Sequence, residues 1–371
     1  MKAGRRIPQV LAVVGAQYGS EGKGAVVKQI ADWFPVHVRT GGPNAGHSLF
    51  HLGRVWKMRS VPCGWVNPNA TLVIGAGAIV NPEVLRREID EIKTVDPSIE
   101  DRIYIDARAW CVIPADMRTE VDGGMQASIG STLEGVGAAR IRRLARKEDT
   151  SMWALADHHR LAHMVVRDTS ALLNVWRNSG VKILLEGTQG LGLSLTHGEW
   201  PFVTSHDTTP AQLAADAGIP TRGMATLLVF RTFPIRVAGN SGPLLGEITW
   251  EDLSKRMGRP VTEKTTVTGR TRRVGMFNPA ALEAARRLTG ARYGAMTFAD
   301  YLDPGVEGQT RVWPALKDSG PVYKFLRSVE RRNFEIVMVG TGGPEFNFIH
   351  RVARPTWLGP LLSGSLDSER D

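Results

Sequence analysis

The chain has 371 residues, 42% hydrophobic and 22% charged, with a net charge of +9, the balance of a globular protein with a substantial core. Its two cysteines, Cys63 and Cys111, are far apart and lack metal-type spacing, which excludes a disulfide scaffold or zinc site and points to a reducing cytoplasm. No apolar run reaches the roughly eighteen residues of a membrane helix. The positive charge fits a basic solvated surface, non-specific nucleic-acid binding, or a cleft that gathers several anions.

Met1–Arg6 is basic, but the apolar stretch after it reads as a first strand rather than a signal peptide. Val10–Val14 is a short apolar run rich in β-branched residues and closed by Gly15, which predicts a buried strand. A glycine-rich turn follows, and then Ala25, Val26, Ile30 and Trp33 recur at helical spacing over Lys23–Trp33. Strand, glycine loop and helix in that order open a nucleotide-binding α/β unit. Further strands are predicted at Val36–Arg39, Thr71–Ile74, Arg102–Ile105, Lys182–Leu185, Ala225–Phe230 and Glu335–Val339. A helix is predicted from Pro82 toward Ile92, with Asn81 as its N-cap. The alternation implies an α/β protein with a mostly parallel sheet and helices on both faces. Nothing marks a linker or repeat, so we expect one domain over residues 1–371 with insertions, frayed at Ser363–Asp371.

Gly19-Ser20-Glu21-Gly22-Lys23-Gly24 lies at the first strand-to-helix turn. Backbone N–H groups there, with the helix N-terminus, suit phosphate oxygens, and Lys23 adds a point charge. The usual P-loop pattern is not met, since Gln17 stands at its first glycine and no Ser or Thr follows Lys23. A second cluster, Gly41-Gly42-Pro43-Asn44-Ala45-Gly46-His47-Ser48, follows the second strand. In this architecture it faces the first loop across the carboxyl ends of the sheet. Each cluster alone is as readily a structural turn.

Together the two loops resemble the signature segments of adenylosuccinate synthetases. Gly19–Gly24 matches except at Ser20, where the family has aspartate, and Asn44–His47 matches fully, with Ser48 for threonine. The resemblance continues in order through Gly130-Ser131-Thr132, Gly135–Gly137, Arg146, Glu186–Gly190, His197–Ser205, Thr266–Arg273, Asp300 and Gly340–Pro344. It spans nearly the whole chain.

That resemblance implies a P-loop-like fold, a homodimer and a two-step ligation. The purine 6-oxygen first attacks the γ-phosphate of a nucleoside triphosphate, and the amine of L-aspartate then displaces the phosphate. Ser20, Lys23, His47 and Gln189 would be catalytic, with Mg2+ on Ser20 and the Gly46 carbonyl. The triphosphate would meet Ser20, Gly22, Lys23, Gly24, Gly46, His47, Ser48, Asp300, Gly342 and Pro344. Ser20, Asn44, Ser131, Thr132, Gln189 and Thr204 would hold the monophosphate, with Arg146 reaching into the partner subunit. Val267, Thr268, Gly269, Arg270 and Arg272 would hold aspartate, whose carboxylates suit arginine's planar fork. The run Arg140, Arg142, Arg143, Arg146 and Lys147 lacks interleaved aromatics, which argues against nucleic-acid binding.

Serine is a poor general base at neutral pH, and it leaves room beside purine C2, where guanine carries an amino group. In this the chain resembles the bacteriophage branch of the family, which converts dGMP to N6-succino-2-amino-2′-deoxyadenylate, a precursor of diaminopurine DNA. Phe298, where the family usually has lysine, and Gly342-Gly343-Pro344-Glu345 depart from the GTP-type pattern and favour ATP or dATP. The alternatives are an ordinary adenylosuccinate synthetase using IMP and GTP, or a non-catalytic nucleotide- or RNA-binding protein.

Overall fold

The computed structural model describes residues 9–147, 158–265, 269–310, 320–331 and 333–350. Met1–Arg6, Ser363–Asp371 and, in the arginine loop, Thr266, Val267 and Thr268 lie outside the described residues.

The first strand, β1 (Val10–Gly15), is buried along its whole length. Val10, Ala12 and Val14 face one hydrophobic layer, while Leu11 and Val13 face the other. Side chains alternate across a strand, so one covered on both faces has to be apolar throughout. It is followed by β2 (Val36–Arg39), a hairpin of β3 (His47–His51) and β4 (Arg54–Met58), and β5 (Thr71–Ile74). Next come β6 (Ile79–Val80), β7 (Ile103–Asp106), β8 (Trp110–Cys111) and β9 (Val165–Val166). The second half adds β10 (Ile183–Glu186), β11 (Met224–Arg231), β12 (Ile235–Arg236), β13 (Glu247–Ile248) and β14 (Arg273–Gly275). Last are β15 (Tyr293–Thr297), β16 (Glu335–Gly342) and β17 (Asn347–His350).

Ten of these form one sheet in the order β17-β16-β15-β11-β1-β10-β2-β5-β7-β9. Every neighbouring pair is parallel except β16 with β17. From β1 the chain works outward to β9, returns to insert β10 between β1 and β2, then builds the other half from β11. Strand order therefore reverses around β1 and β10, the place where open α/β sheets bind ligands at their carboxyl ends.

Helix α1 (Lys23–Ile30) buries Val26, Val27 and Ile30 on one face of the sheet, beside Trp56 and Trp65. On the other face lie Leu213, Ala214 and Ala217 of the helix Pro210–Ala217. The helix expected to run to Trp33 is α-helical only to Ile30 and closes with a 3-10 turn, Ala31–Trp33. Phe34 then extends into Pro35, as the proline ring disfavours helical backbone before it. Helix α2 (Pro82–Lys93) is capped as expected: Asn81 Oδ1 accepts from the N–H groups of Glu83 and Val84. Helices α3 (Pro114–Asp122), α4 (Met125–Ile129) and α5 (Val136–Leu144) follow, and α5 lays Val136 and Ala139 against Ile79 and Trp110 of β6 and β8.

Candidate active site

Site residues sit at the carboxyl ends of β1, β2, β10, β11, β15 and β16. After β1, the loop turns through Gly19 (φ +93°) and Gly22 (φ +82°), left-handed conformations that favour glycine. Gly19 is also in close approach, since a Cβ there would lie 2.9 Å from the Gln189 Cα. Glu21 braces the loop from inside. Its Oε1 accepts from the N–H groups of Gln17 (3.0 Å) and Gly19 (2.8 Å), and its Oε2 pairs with Lys23 Nζ at 2.8 Å. Gly22 caps α1 without a side-chain acceptor, leaving first-turn N–H groups for an anion. From β11, the buried Arg231 donates to the Ser20 carbonyl at 3.0 Å and forms a forked ion pair with Glu263. Its guanidinium lies 3.7 Å over the Phe298 ring.

The second loop hangs from β2. Arg39 Nη2 donates to the Ala45 carbonyl at 2.6 Å, and Nη1 reaches Glu186 Oε1 at 2.7 Å. The same carboxylate oxygen lies 2.6 Å from His47 Nδ1. Burial pushes Glu186 upward, but the His47 hydrogen bond and the Arg39 charge outweigh it and hold the carboxyl at about 2. Burial, then Arg39, holds His47 down at about 4, so the ring is neutral near pH 7.

Two clefts open over these loops. The first is lined by Asn44, Ser131, Thr132, Gln189 and Thr204. The second is lined by Gly22, Lys23, Gly24, His47, Ser48 and Gly342, with Phe298 in its wall. Gly19, Ser20, Gly46 and Arg272 line both. Asn44 Oδ1, His47 Nε2, Gln189 Oε1 and Thr204 Oγ1 are buried and have no hydrogen-bond partner among the described residues. Buried polar atoms are seldom left unpaired, so this grouping marks positions that a ligand would satisfy.

Other expected residues stand apart. Arg146 is exposed beyond the end of α5 in a left-handed conformation (φ +51°) and lines neither cleft. Gly269 and Arg270 are exposed, Arg270 Nη2 lying 3.4 Å from where a Gly239 Cβ would be. Pro344 lines neither cleft, and Val267 and Thr268 lie outside the described residues. Asp300 is tucked behind Gly342, where a Cβ would meet its carboxyl carbon at 2.6 Å.

Burial, then the neighbouring Glu307, pushes Asp300 up to about 7, against the pull of Arg259 and Arg231. The stability this carboxyl contributes is full at low pH and is lost as pH rises through about 7. Asp300→Asn is therefore expected to raise the melting temperature more at about pH 8 than at about pH 5. An equal change at both would show that the carboxyl is not held neutral.

Arg39, Glu21, Glu186 and Arg231 were given no role by sequence reasoning. Charged residues at the ends of apolar strands are the signal that marks three of them.

The adenylosuccinate synthetase family model matches residues 12–165 and 147–307. The adenylosuccinate synthetase of Thermococcus sibiricus is 36% identical over 345 residues, covering 91% of this chain and 96% of its own. That of Pyrococcus horikoshii is 36% identical over 352 residues, covering 92% and 98%. Among solved structures, the succinoaminodeoxyadenylate synthetase (PurZ) of cyanophage S-2L, bound to dGMP and dATP as an energy donor, superposes with a TM-score of 0.79. It is 27% identical and covers 96% of this chain and 99% of its own. The fully ligated adenylosuccinate synthetase of Plasmodium falciparum, at 19% identity, shares the fold with a TM-score of 0.77, covering 93% and 100%. Signature loops, paired clefts and likeness over nine-tenths of the length agree: the chain belongs to the adenylosuccinate synthetase family of C–N bond-forming ligases.

Proposed function

We propose that this protein joins L-aspartate to C6 of dGMP, giving N6-succino-2-amino-2′-deoxyadenylate, with ATP or dATP as phosphate donor. The observation that carries the reading is Ser20, a half-buried hydroxyl where the family has a carboxylate, on the wall shared by the two clefts. The carboxylates nearest the first cleft are already engaged. Glu120 accepts from the N–H groups of Gly135 and Gly137, and Glu134 pairs with Arg59. A purine with a 2-amino group thus gains space beside Ser20. The dGMP and dATP bound by the cyanophage S-2L enzyme support the same assignment.

In this reading the first cleft takes the monophosphate, with Asn44, Ser131, Thr132, Gln189 and Thr204 supplying directional hydrogen bonds and Arg146 acting from the partner of a homodimer. The second cleft takes the triphosphate. The 6-oxygen attacks the γ-phosphorus and the bond to the β-phosphate breaks, with Lys23 and His47 beside the transferred group and Gln189 at the 6-oxygen. The aspartate amine, held by its carboxylates on Arg270, Arg272 and the Val267–Gly269 loop, then attacks C6 and phosphate leaves. Ser20 and Gly46 line both clefts and carry hard oxygen donors, a hydroxyl and a carbonyl, which fits Mg2+ held mainly by phosphate oxygens and water. When bound, the ion neutralises charge on the triphosphate.

The 36% identity to archaeal adenylosuccinate synthetases favours a second reading, ligation on IMP. Phosphate release with aspartate, magnesium and ATP, compared across dGMP, GMP, IMP and dIMP and repeated with dATP and GTP, separates them. Turnover with dGMP is expected; turnover with IMP alone would overturn the proposal.

A further inference from the structure

Glu186 closes β10 at the middle of the sheet and is fully buried. Register places it beside Arg39, the last residue of β2, and Val13 of β1, so its backbone is held from both sides. Its Oε2 accepts the Cys63 N–H at 2.7 Å, and its Oε1 serves both Arg39 and His47.

A plain account would make this carboxylate only the counter-charge of Arg39. That account leaves the histidine unexplained. His47 Nδ1 lies 2.6 Å from Glu186 Oε1 and 3.1 Å from Arg39 Nη1. An ionised carboxylate can only accept and would repel a bare nitrogen at the shorter distance, which argues for the proton on Nδ1, pointing at Glu186. The ring's other nitrogen, Nε2, is buried without a partner among the described residues, and His47 lines the same cleft as Lys23. When one ring nitrogen is committed to a carboxylate, the ring plane and the state of the other are set with it.

We propose that Glu186 is a positioning residue for His47: it holds Nδ1–H, fixes the ring's tautomer, turns Nε2 toward the phosphate cleft, and supplies the negative charge that lets Nε2 take up a proton and donate once an anion is bound there. Arg39 acts one step behind, cancelling the carboxylate charge and tying the Ala45 carbonyl, hence the His47 loop, to β2. His47, Cys63 and Glu186 also have the grouping of a buried metal site. The Arg39 guanidinium on the shared carboxylate oxygen opposes a cation there, so the cluster is read as a hydrogen-bonded relay.

The inference rests on the assignment of the second cleft to the triphosphate, and its test has one arm that does not. The 15N spectrum of histidine-labelled protein near neutral pH and free of nucleotide and phosphate, with His47 identified by the peak missing from His47→Gln, is expected to show Nδ1 protonated and Nε2 bare. A proton on Nε2 overturns the proposal, whether or not any nucleotide turns over. In the second arm, Glu186→Gln keeps the shape but cannot present acceptors to both Arg39 with His47 and the Cys63 N–H. Its kcat is expected to fall about 10- to 100-fold with KM for both nucleotides unchanged. Unchanged kcat, or a loss expressed only in KM, overturns the positioning role. Absence of turnover in the wild type with every purine monophosphate would sink the functional reading and leave the spectrum to decide this one.

Discussion

Lys23→Gln is expected to lower kcat by about 10²- to 10³-fold, the usual effect of removing one preorganised donor from a charge-developing centre. The lysine is buried, and its Nζ rests on Glu21 Oε2 at 2.8 Å and the Gly19 carbonyl at 3.3 Å. Those contacts hold the ammonium at the second cleft, the one assigned to the triphosphate, so its charge is in place before phosphate arrives. Glutamine keeps a donor within reach of Glu21, and Glu21 is still held by two backbone N–H groups. The loop therefore stays closed while the positive charge is lost. Phosphate release alongside a thermal melt reads both parts. A variant with wild-type kcat would remove Lys23 from the reacting centre.

Arg39→Met is expected to cost stability instead, by about 3–5 kcal/mol, as found when one partner of a buried ion pair is removed. Arg39 and Glu186 are both almost wholly shielded from solvent, and among the described residues no other cation touches the carboxylate while His47 is neutral. Methionine fills much of the volume but leaves Glu186 charged in an apolar sheet and frees the Ala45 carbonyl. Urea denaturation should show an earlier midpoint with an unchanged slope. A shift below about 1 kcal/mol would mean that water or a rearranged side chain replaces the guanidinium.

The strands of the central sheet were readable where burial on both faces favours an apolar run, as in Val10–Gly15 and Thr71–Ile74. The strand Tyr293–Thr297 escaped notice because its sequence, Tyr-Gly-Ala-Met-Thr, has little β-branched character. Its glycine answers to packing: a Cβ on Gly294 would lie 2.6 Å from Ile336 Cδ1 and 2.7 Å from Phe334 Cζ. The phosphate loop and the Asn44–His47 turn announced themselves locally, since glycines in series have a backbone reason to be there. The Arg39–Glu186 pair did not, because its members are 147 residues apart and meet only once β10 inserts beside β2. Asp300 was visible as an acid but not as one shut behind Gly342, which depends on the approach of β16.

The two clefts share a wall to which three loops contribute. Gly19, Ser20, Gly46 and Arg272 belong to both, so in the proposed assignment each nucleotide would meet groups that also line the other's cleft. Linkage then requires reciprocity: whatever factor the triphosphate applies to monophosphate affinity, the monophosphate returns in equal measure. Under that assignment, selectivity for the purine and selectivity for the donor are expected to be coupled, so each base preference is to be measured with the opposite cleft's occupant specified.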